Sequence, residues 1–499
     1  MTRKSGILMP MSSLPSPYGI GTMGKSAFRF VDFLKSAGQS YWQLLPLGPT
    51  SHGDSPYFSF STFAGNPYYI DLDLLVKDGL LRRKEILARD WGRDPDRTDY
   101  GSIYVNRFPI LRLAFERGRG PLAGELAAFR SENAAWLEDY ALFMAVKNSF
   151  GMISWVDWPD EDIRLHKPAA VAQYREKLKD DVDFWCFLQF LFFRQWGALR
   201  EYAHGKGIEF IGDVPIYVAL DSADVWSAPG FFQLDKDNLP TAVAGVPPDA
   251  FTDDGQLWGN PLYNWDAMKK DGFGWWIRRI EGAEKLFDVI RIDHFRGFES
   301  YWAVPYGDTT ARRGKWMPGP GMELVGVLTS WFHKLRFIAE DLGYTTPEVE
   351  KLLKDSGLPG MKILEFGFDP KGNSDYMPHN CVSHSVCYVG THDNDVVNGW
   401  IKSTDRATLK FAAEYIHKTE DESWCWALIR TGMATGSELF VMQMQDILEL
   451  PASSRMNSPG TASGNWQWRM RPDALDAKLA RKILRCTKLY RRVQKTDQK

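Results

Sequence analysis

Phe287-Asp288-Val289-Ile290-Arg291-Ile292-Asp293 is the stretch whose reading decides the fold. Side chains of an extended strand alternate between faces, so Val289, Arg291 and Asp293 share one face and Asp288, Ile290 and Ile292 the other. Arg291 therefore lies beside Asp293. A guanidinium that close favours the ionised carboxylate, the form a carboxylate needs in order to attack carbon.

Outward from this strand, short apolar runs rich in β-branched or aromatic residues recur at 41–45, 209–213, 337–340, 361–365, 387–390 and 439–442, with weaker candidates at 6–9 and 68–70. Segments with helical spacing lie between many of them, the pattern of β/α alternation. The clearest helices are expected at 183–204, where Phe187, Leu191, Trp196, Leu199 and Tyr202 form a stripe stopped by Gly205 and Gly207, and at 474–493. The basic side of the latter, with Lys478, Lys482, Arg485 and Arg492, reads as a solvated face.

The expected fold is α/β: one (β/α)8 TIM barrel over 1–499, with large insertions in its βα loops. Its 499 residues exceed the roughly 250 of a simple barrel. Strand signals are sparse over about 74–200, which predicts an inserted, largely helical subdomain. A second insertion is expected over about 215–285, where Pro, Gly, Asp and aromatics crowd around 227–263. No linker, low-complexity segment or solenoid repeat divides the chain.

Sixty basic against 63 acidic residues give a net charge of −3, which speaks against nucleic acid and anionic membrane partners. No run approaches 18 apolar residues, and the start is too weakly apolar for a signal peptide. Five cysteines show no CxxC or zinc spacing, so a reducing compartment, the cytoplasm, is expected. Aromatics reach 14%, and flat rings with polar tips suit sugar faces as well as cores.

Four of the strand candidates deliver an acid at or just past their C-terminal end: Asp213, Asp293, Glu340 and Asp393. In a parallel barrel these ends converge on one mouth. Glu340 closes an apolar run, where desolvation and a neighbouring acid raise its pKa, as a proton donor requires. One ionised and one protonated carboxyl group are the minimum for breaking a glycosidic bond with retention. Thr391-His392-Asp393-Asn394-Asp395 reads as a clamp for sugar hydroxyls rather than a metal site, since no further ligand cluster accompanies it. Gly19-Ile20-Gly21-Thr22-Met23-Gly24 matches GxGxxG but follows a Pro-rich loop instead of the strand a dinucleotide site needs.

Asp213, Arg291-Ile292-Asp293-His294, Glu340 and His392-Asp393 resemble, in order, the four short motifs of the α-amylase superfamily. Ser12-Ser13-Leu14-Pro15, Gly53-Asp54-Ser55-Pro56-Tyr57, Gly65-Asn66-Pro67-Tyr68, Ala244-Gly245-Val246-Pro247-Pro248-Asp249, Trp258-Gly259-Asn260-Pro261, Leu358-Pro359-Gly360-Met361-Lys362 and Gly464-Asn465-Trp466-Gln467-Trp468-Arg469 resemble a narrower group, the 4-α-glucanotransferases called amylomaltases or disproportionating enzymes. The likeness runs from about residue 6 to 490.

The resemblance implies a retaining transferase that moves α-1,4-glucan segments from a maltooligosaccharide donor to the 4-OH of glucose or a glucan. It implies Asp293 as nucleophile, Glu340 as acid/base and Asp393 as transition-state stabiliser. Sugar contacts are implied for Tyr57, Asp213, Arg291, His294 and His392, and further for Ser55, Tyr100, Trp258 and Asn465. It also implies no metal, no cofactor and no C-terminal β-sandwich domain. Glucan hydrolases share the three acids, so the acids alone do not separate transfer from hydrolysis. The longer motifs favour transfer, and the segment 245–258 has the Pro, Gly and aromatic content of a water-excluding lid. A binding protein that kept the fold without turnover would have no need of both nucleophile and proton donor. Oligomeric state, chain-length preference and the formation of cyclic products stay open.

Overall fold

In the computed structural model, residues 3–248, 253–343, 345–461 and 463–493 are described. Twelve strands occur among them: β1 (Lys4–Leu8), β2 (Tyr41–Gln43), β3 (Glu209–Val214), β4 (Ala242–Val246), β5 (Gln256–Pro261), β6 (Val289–Ile292), β7 (Ser300–Pro305), β8 (Lys315–Pro318), β9 (Arg336–Ala339), β10 (Gly360–Ile363), β11 (Ser385–Tyr388) and β12 (Leu439–Gln443).

Eight of these form one parallel sheet in the order β1-β2-β3-β6-β9-β10-β11-β12, and β12 pairs back onto β1. At the remaining seam Ala339 N–H donates to the Pro359 carbonyl, 3.0 Å, just ahead of β10. The sheet follows chain order around a barrel, which is the expected (β/α)8 architecture. After β12 the described residues hold helices but no further strand.

Alternation along each strand sorts its residues. Trp42 and Phe210 point outward and join Phe30 and Trp196 in a run of rings with centroids 4.7 to 5.4 Å apart, the apolar layer between barrel and helices. Gly212 faces the same layer, where a Cβ would stand 2.0 Å from the Phe287 ring. Inward-pointing residues are polar at both ends. At the base Lys4, Tyr41, Glu209 and Arg336 bond one another. Near the mouth Tyr388 donates to Gln43 across the barrel, and Arg291 to Asp213 in the adjacent strand.

The helix expected at 183–204 spans Lys179–Gly205; its extra first turn carries Asp180 and Asp181, acids that suit a helix N-terminus but show no apolar periodicity. Between β2 and this helix the chain is helical, with Tyr100–Gly118 and Leu137–Ser149 the longest pieces. The helix expected at 474–493 is Ala477–Leu489, capped by the Asp476 side chain. Residues 68–70 are no strand. Asn66 accepts from the Tyr68 N–H and Pro67 sets the first turn, so Pro67–Tyr69 winds as a 3-10 helix.

A second sheet, ordered β5-β4-β7-β8 and antiparallel throughout, went unread in the sequence. It joins two loops: β4 and β5 follow β3, whereas β7 and β8 follow β6.

Candidate active site

The loops after β2, β3, β6, β9, β11 and β12 meet at the C-terminal mouth of the barrel. At its centre stands Arg291, 3% exposed, one of whose nitrogens donates to both Asp213 oxygens (2.7 and 2.8 Å) and to Asp293 Oδ1 (2.9 Å). Strand register dictates this, since Arg291 pairs with Asp213 across β6 and β3 and Asp293 is its next same-face neighbour.

Just past β9, Glu340 is fixed by backbone donors: His294 N–H to Oε2 (2.6 Å) and Leu342 N–H to Oε1 (3.0 Å). His294 adopts a left-handed conformation, φ 47°, which turns its N–H onto Glu340. The acids of two neighbouring strands are thereby brought into one electrostatic group.

Burial raises the Glu340 carboxyl to about 7, against the opposing pull of Arg291 and its two N–H donors. Asp293 is also pushed upward, first by burial and then by Asp213, Glu340 and Asp393, although Arg291 works the other way. The sequence led us to expect Arg291 to keep Asp293 ionised outright. Instead, burial and three neighbouring acids outweigh the single guanidinium, and the Asp293 carboxyl is raised above its ordinary range. Arg291 bonds Asp293 at 2.9 Å, and a quarter of the Asp293 side chain stays open to the mouth.

Two neutral imidazoles flank the acids. Burial and Arg296 bring His294 down to about 3, and its ring meets Trp258 edge-on at 4.9 Å. Burial likewise lowers His392. Tyr57 remains a phenol, raised by burial and by Asp213, and donates its one proton to Asp213 Oδ2, 2.7 Å. His392 Nε2, 2.8 Å from the same hydroxyl, must then carry the donor hydrogen. That nitrogen also lies 3.3 Å from Asp393 Oδ2, and the rings of Tyr57 and His392 stack at 5.2 Å.

Tyr57, Asp213, Arg291, Asp293, His294, Glu340, His392, Asp393 and Trp258 thus gather at one mouth. Ser55, Tyr100 and Asn465 bond within the loops around it. Ser55 Oγ accepts the Tyr57 N–H (3.2 Å), Tyr100 donates to the Trp466 carbonyl (2.9 Å), and Asn465 braces its own loop at Ser458 and Thr461. Trp466, at φ 63°, leans its ring on Tyr57 (5.7 Å) and His392 (6.0 Å). Sequence reasoning quoted this tryptophan without assigning it a place, and it missed Arg455 and Asn457, which bond Asp393. Their stretch carries no acid and no periodicity, so nothing in it singled them out. Of the segment 245–258, residues 245–246 lie in β4 and 256–258 in β5, which pair antiparallel; 249–252 lie outside the described residues. Among the described residues no group of three His, Cys, Asp or Glu is arranged to hold a metal ion.

A parallel barrel whose mouth gathers Asp213, Asp293, Glu340 and Asp393 around a buried guanidinium has the arrangement of the (β/α)8 enzymes that act on carbohydrates through paired acids. The profile of glycoside hydrolase family 77, described as 4-alpha-glucanotransferase, matches residues 9–476. The chain is 46% identical over 488 residues to the 4-alpha-glucanotransferase of Clostridium butyricum, covering 97% of this chain and 100% of the relative. It is 47% identical over 486 residues to that of Thermus thermophilus, covering 95% and 96%. Among solved structures, the amylomaltase of Streptococcus agalactiae in complex with acarbose superposes with a TM-score of 0.96 at 44% identity, covering 99% of this chain and all of that one. The chain belongs to the 4-alpha-glucanotransferase family, whose members are retaining enzymes.

Proposed function

We propose that the protein moves α-1,4-linked glucan segments from a maltooligosaccharide donor to the 4-hydroxyl of glucose or another glucan by double displacement. Asp293 attacks the anomeric carbon while Glu340 protonates the departing glycosidic oxygen. Glu340 then takes the proton of the acceptor 4-hydroxyl as that oxygen displaces Asp293. Asp393 faces the positive charge that develops on the sugar ring. Tyr57, Asp213, Arg291, His294, His392 and Trp258 contact the sugars, while Ser55, Tyr100 and Asn465 hold the loops that carry them. No metal or cofactor enters the scheme.

The observation that carries this reading is that Asp293, bonded to Arg291, and Glu340, raised by burial to about 7, stand at the same barrel mouth. One carboxyl can then act as nucleophile while its neighbour acts as acid, without either leaving its place. The cytoplasm is the compartment that fits five unpaired thiols.

Transfer requires the glycosyl-enzyme to wait for a sugar, and the edge-on contact of Trp258, in β5, with His294 at 4.9 Å supports a role for the segment 245–258 in keeping water out. Incubating the purified protein with maltotriose tests the proposal. A ladder of longer oligomers plus glucose is expected, whereas shorter products alone would identify a hydrolase. Asp293→Ala should lower turnover by at least about 10,000-fold. Shortening the hairpin between Val246 and Gln256 should raise the ratio of hydrolysis to transfer, and an unchanged ratio would remove the lid from the scheme.

A further inference from the structure

Asp393 stands on a loop five residues past the end of β11, and 42% of its side-chain surface is open. Packing therefore does not set its χ angles, yet a carboxylate that stabilises a developing cation must keep one orientation.

A different loop, the one after β12, holds it. Asn457 N–H donates to the His392 carbonyl at 3.2 Å, Asn457 Nδ2 to Asp393 Oδ1 at 2.6 Å, and Arg455 Nη2 to the Asp393 carbonyl at 2.6 Å. Arg455 Nε turns back onto the Asn457 carbonyl at 2.7 Å, so the two residues brace each other. Among the described residues the other carboxylate oxygen meets His392 Nε2 at 3.3 Å, and that nitrogen is already engaged with Tyr57.

We propose that Asn457, braced by Arg455, is a positioning residue for the transfer reaction, fixing the Asp393 carboxylate in the orientation from which it faces the sugar ring. The proposal rests on the role given to Asp393 above. A carboxylate only accepts, so the amide nitrogen must be the end that meets it. An uncharged donor is the suitable device: it fixes the oxygen without cancelling the negative charge the reaction uses. Arg455, the nearby cation, spends its hydrogen bonds on backbone carbonyls and leaves the carboxylate its charge.

The test compares wild type, Asn457→Ala and Asn457→Asp for maltotriose transfer across a pH series, with the melting midpoint of each. The charged or titratable groups facing Asp393 are His392, Arg455, Tyr57 and Asp293. Loss of one hydrogen bond to a charged group should lower kcat of Asn457→Ala about 10- to 100-fold. KM should stay within about 2-fold, because the sugar contacts are elsewhere. Asn457→Asp sets two carboxylates face to face, so it should be weak at neutral pH and recover as pH falls and the new acid protonates, restoring a donor.

Wild-type kcat in Asn457→Ala, or a pH profile of Asn457→Asp shaped like wild type, overturns the proposal. So does a loss in both variants that follows their melting midpoints and ignores pH, which marks a merely structural residue. A wild type that makes no transfer products overturns the proposed function and this inference with it.

Discussion

Replacing Arg291 by Met keeps a long apolar stem and removes the one guanidinium in the acid cluster. Its side chain is 3% exposed and that of Asp213 0%, so neither charge has water to fall back on. Losing one partner of such a pair costs about 3 to 5 kcal/mol, because the other is left buried and uncompensated. Asp213 would keep only the Tyr57 hydroxyl at 2.7 Å. Asp293 would lose the group that holds its charge, its carboxyl would move further up, and transfer would fail at neutral pH. Asp213→Asn should cost less, because Arg291 keeps Asp293 at 2.9 Å as a partner. The double variant removes both charges and should cost clearly less than the two single costs summed. Urea-unfolding midpoints at pH 7, followed by tryptophan fluorescence, measure all four corners. Single costs that add without coupling, or a midpoint of Arg291→Met equal to wild type, would refute the claim that this pair organises the site. If Arg291→Met does not fold, recovery of folded protein in the double variant makes the same point.

Glu340→Gln should lower maltotriose transfer about 100- to 10,000-fold. It should retain cleavage of a maltosyl fluoride donor, whose leaving group needs no proton; equal loss on both donors would remove Glu340 from the acid's role. Glu340 sits at about 7 in the folded chain, above its ordinary 4.5, so the folded state keeps a proton that the unfolded chain has released. Its contribution to stability is therefore full below about 4.5 and is lost as pH rises to about 7. The wild-type minus Glu340→Gln difference in stability should fall across that window and be flat above it, and a difference that rises with pH would contradict the burial argument. Activity that depends on protonated Glu340 should decline on the alkaline side of the same value. Gly212→Ala should destabilise by about 1 to 3 kcal/mol through its clash with Phe287, read as a lowered urea midpoint with little change in KM.

Periodicity made the barrel strands legible in advance, and the closure of a parallel barrel made it possible to say that acids ending four separate strands would meet. Arg291 beside Asp293 followed from a period of two within seven residues. These are consequences of local geometry, which every residue carries with it. The second sheet was out of reach because its strands are short, contain Gly and Pro, and pair across two loops separated by β6, a relation no local pattern encodes. Residues 68–70 were misread for the opposite reason: an aromatic, β-branched run looks extended until Asn66 and Pro67 cap it as a turn.

The four acids proposed for the reaction, Asp213, Asp293, Glu340 and Asp393, were thus already legible in the sequence. What only the folded chain decided was their charge states and aim. Burial raises both Asp293 and Glu340 against the pull of one guanidinium, and Arg455 and Asn457 reach from 62 and 64 residues away in sequence to bond Asp393. Desolvation and hydrogen-bond direction depend on everything that surrounds a group in space, and that surrounding exists only after the chain has folded.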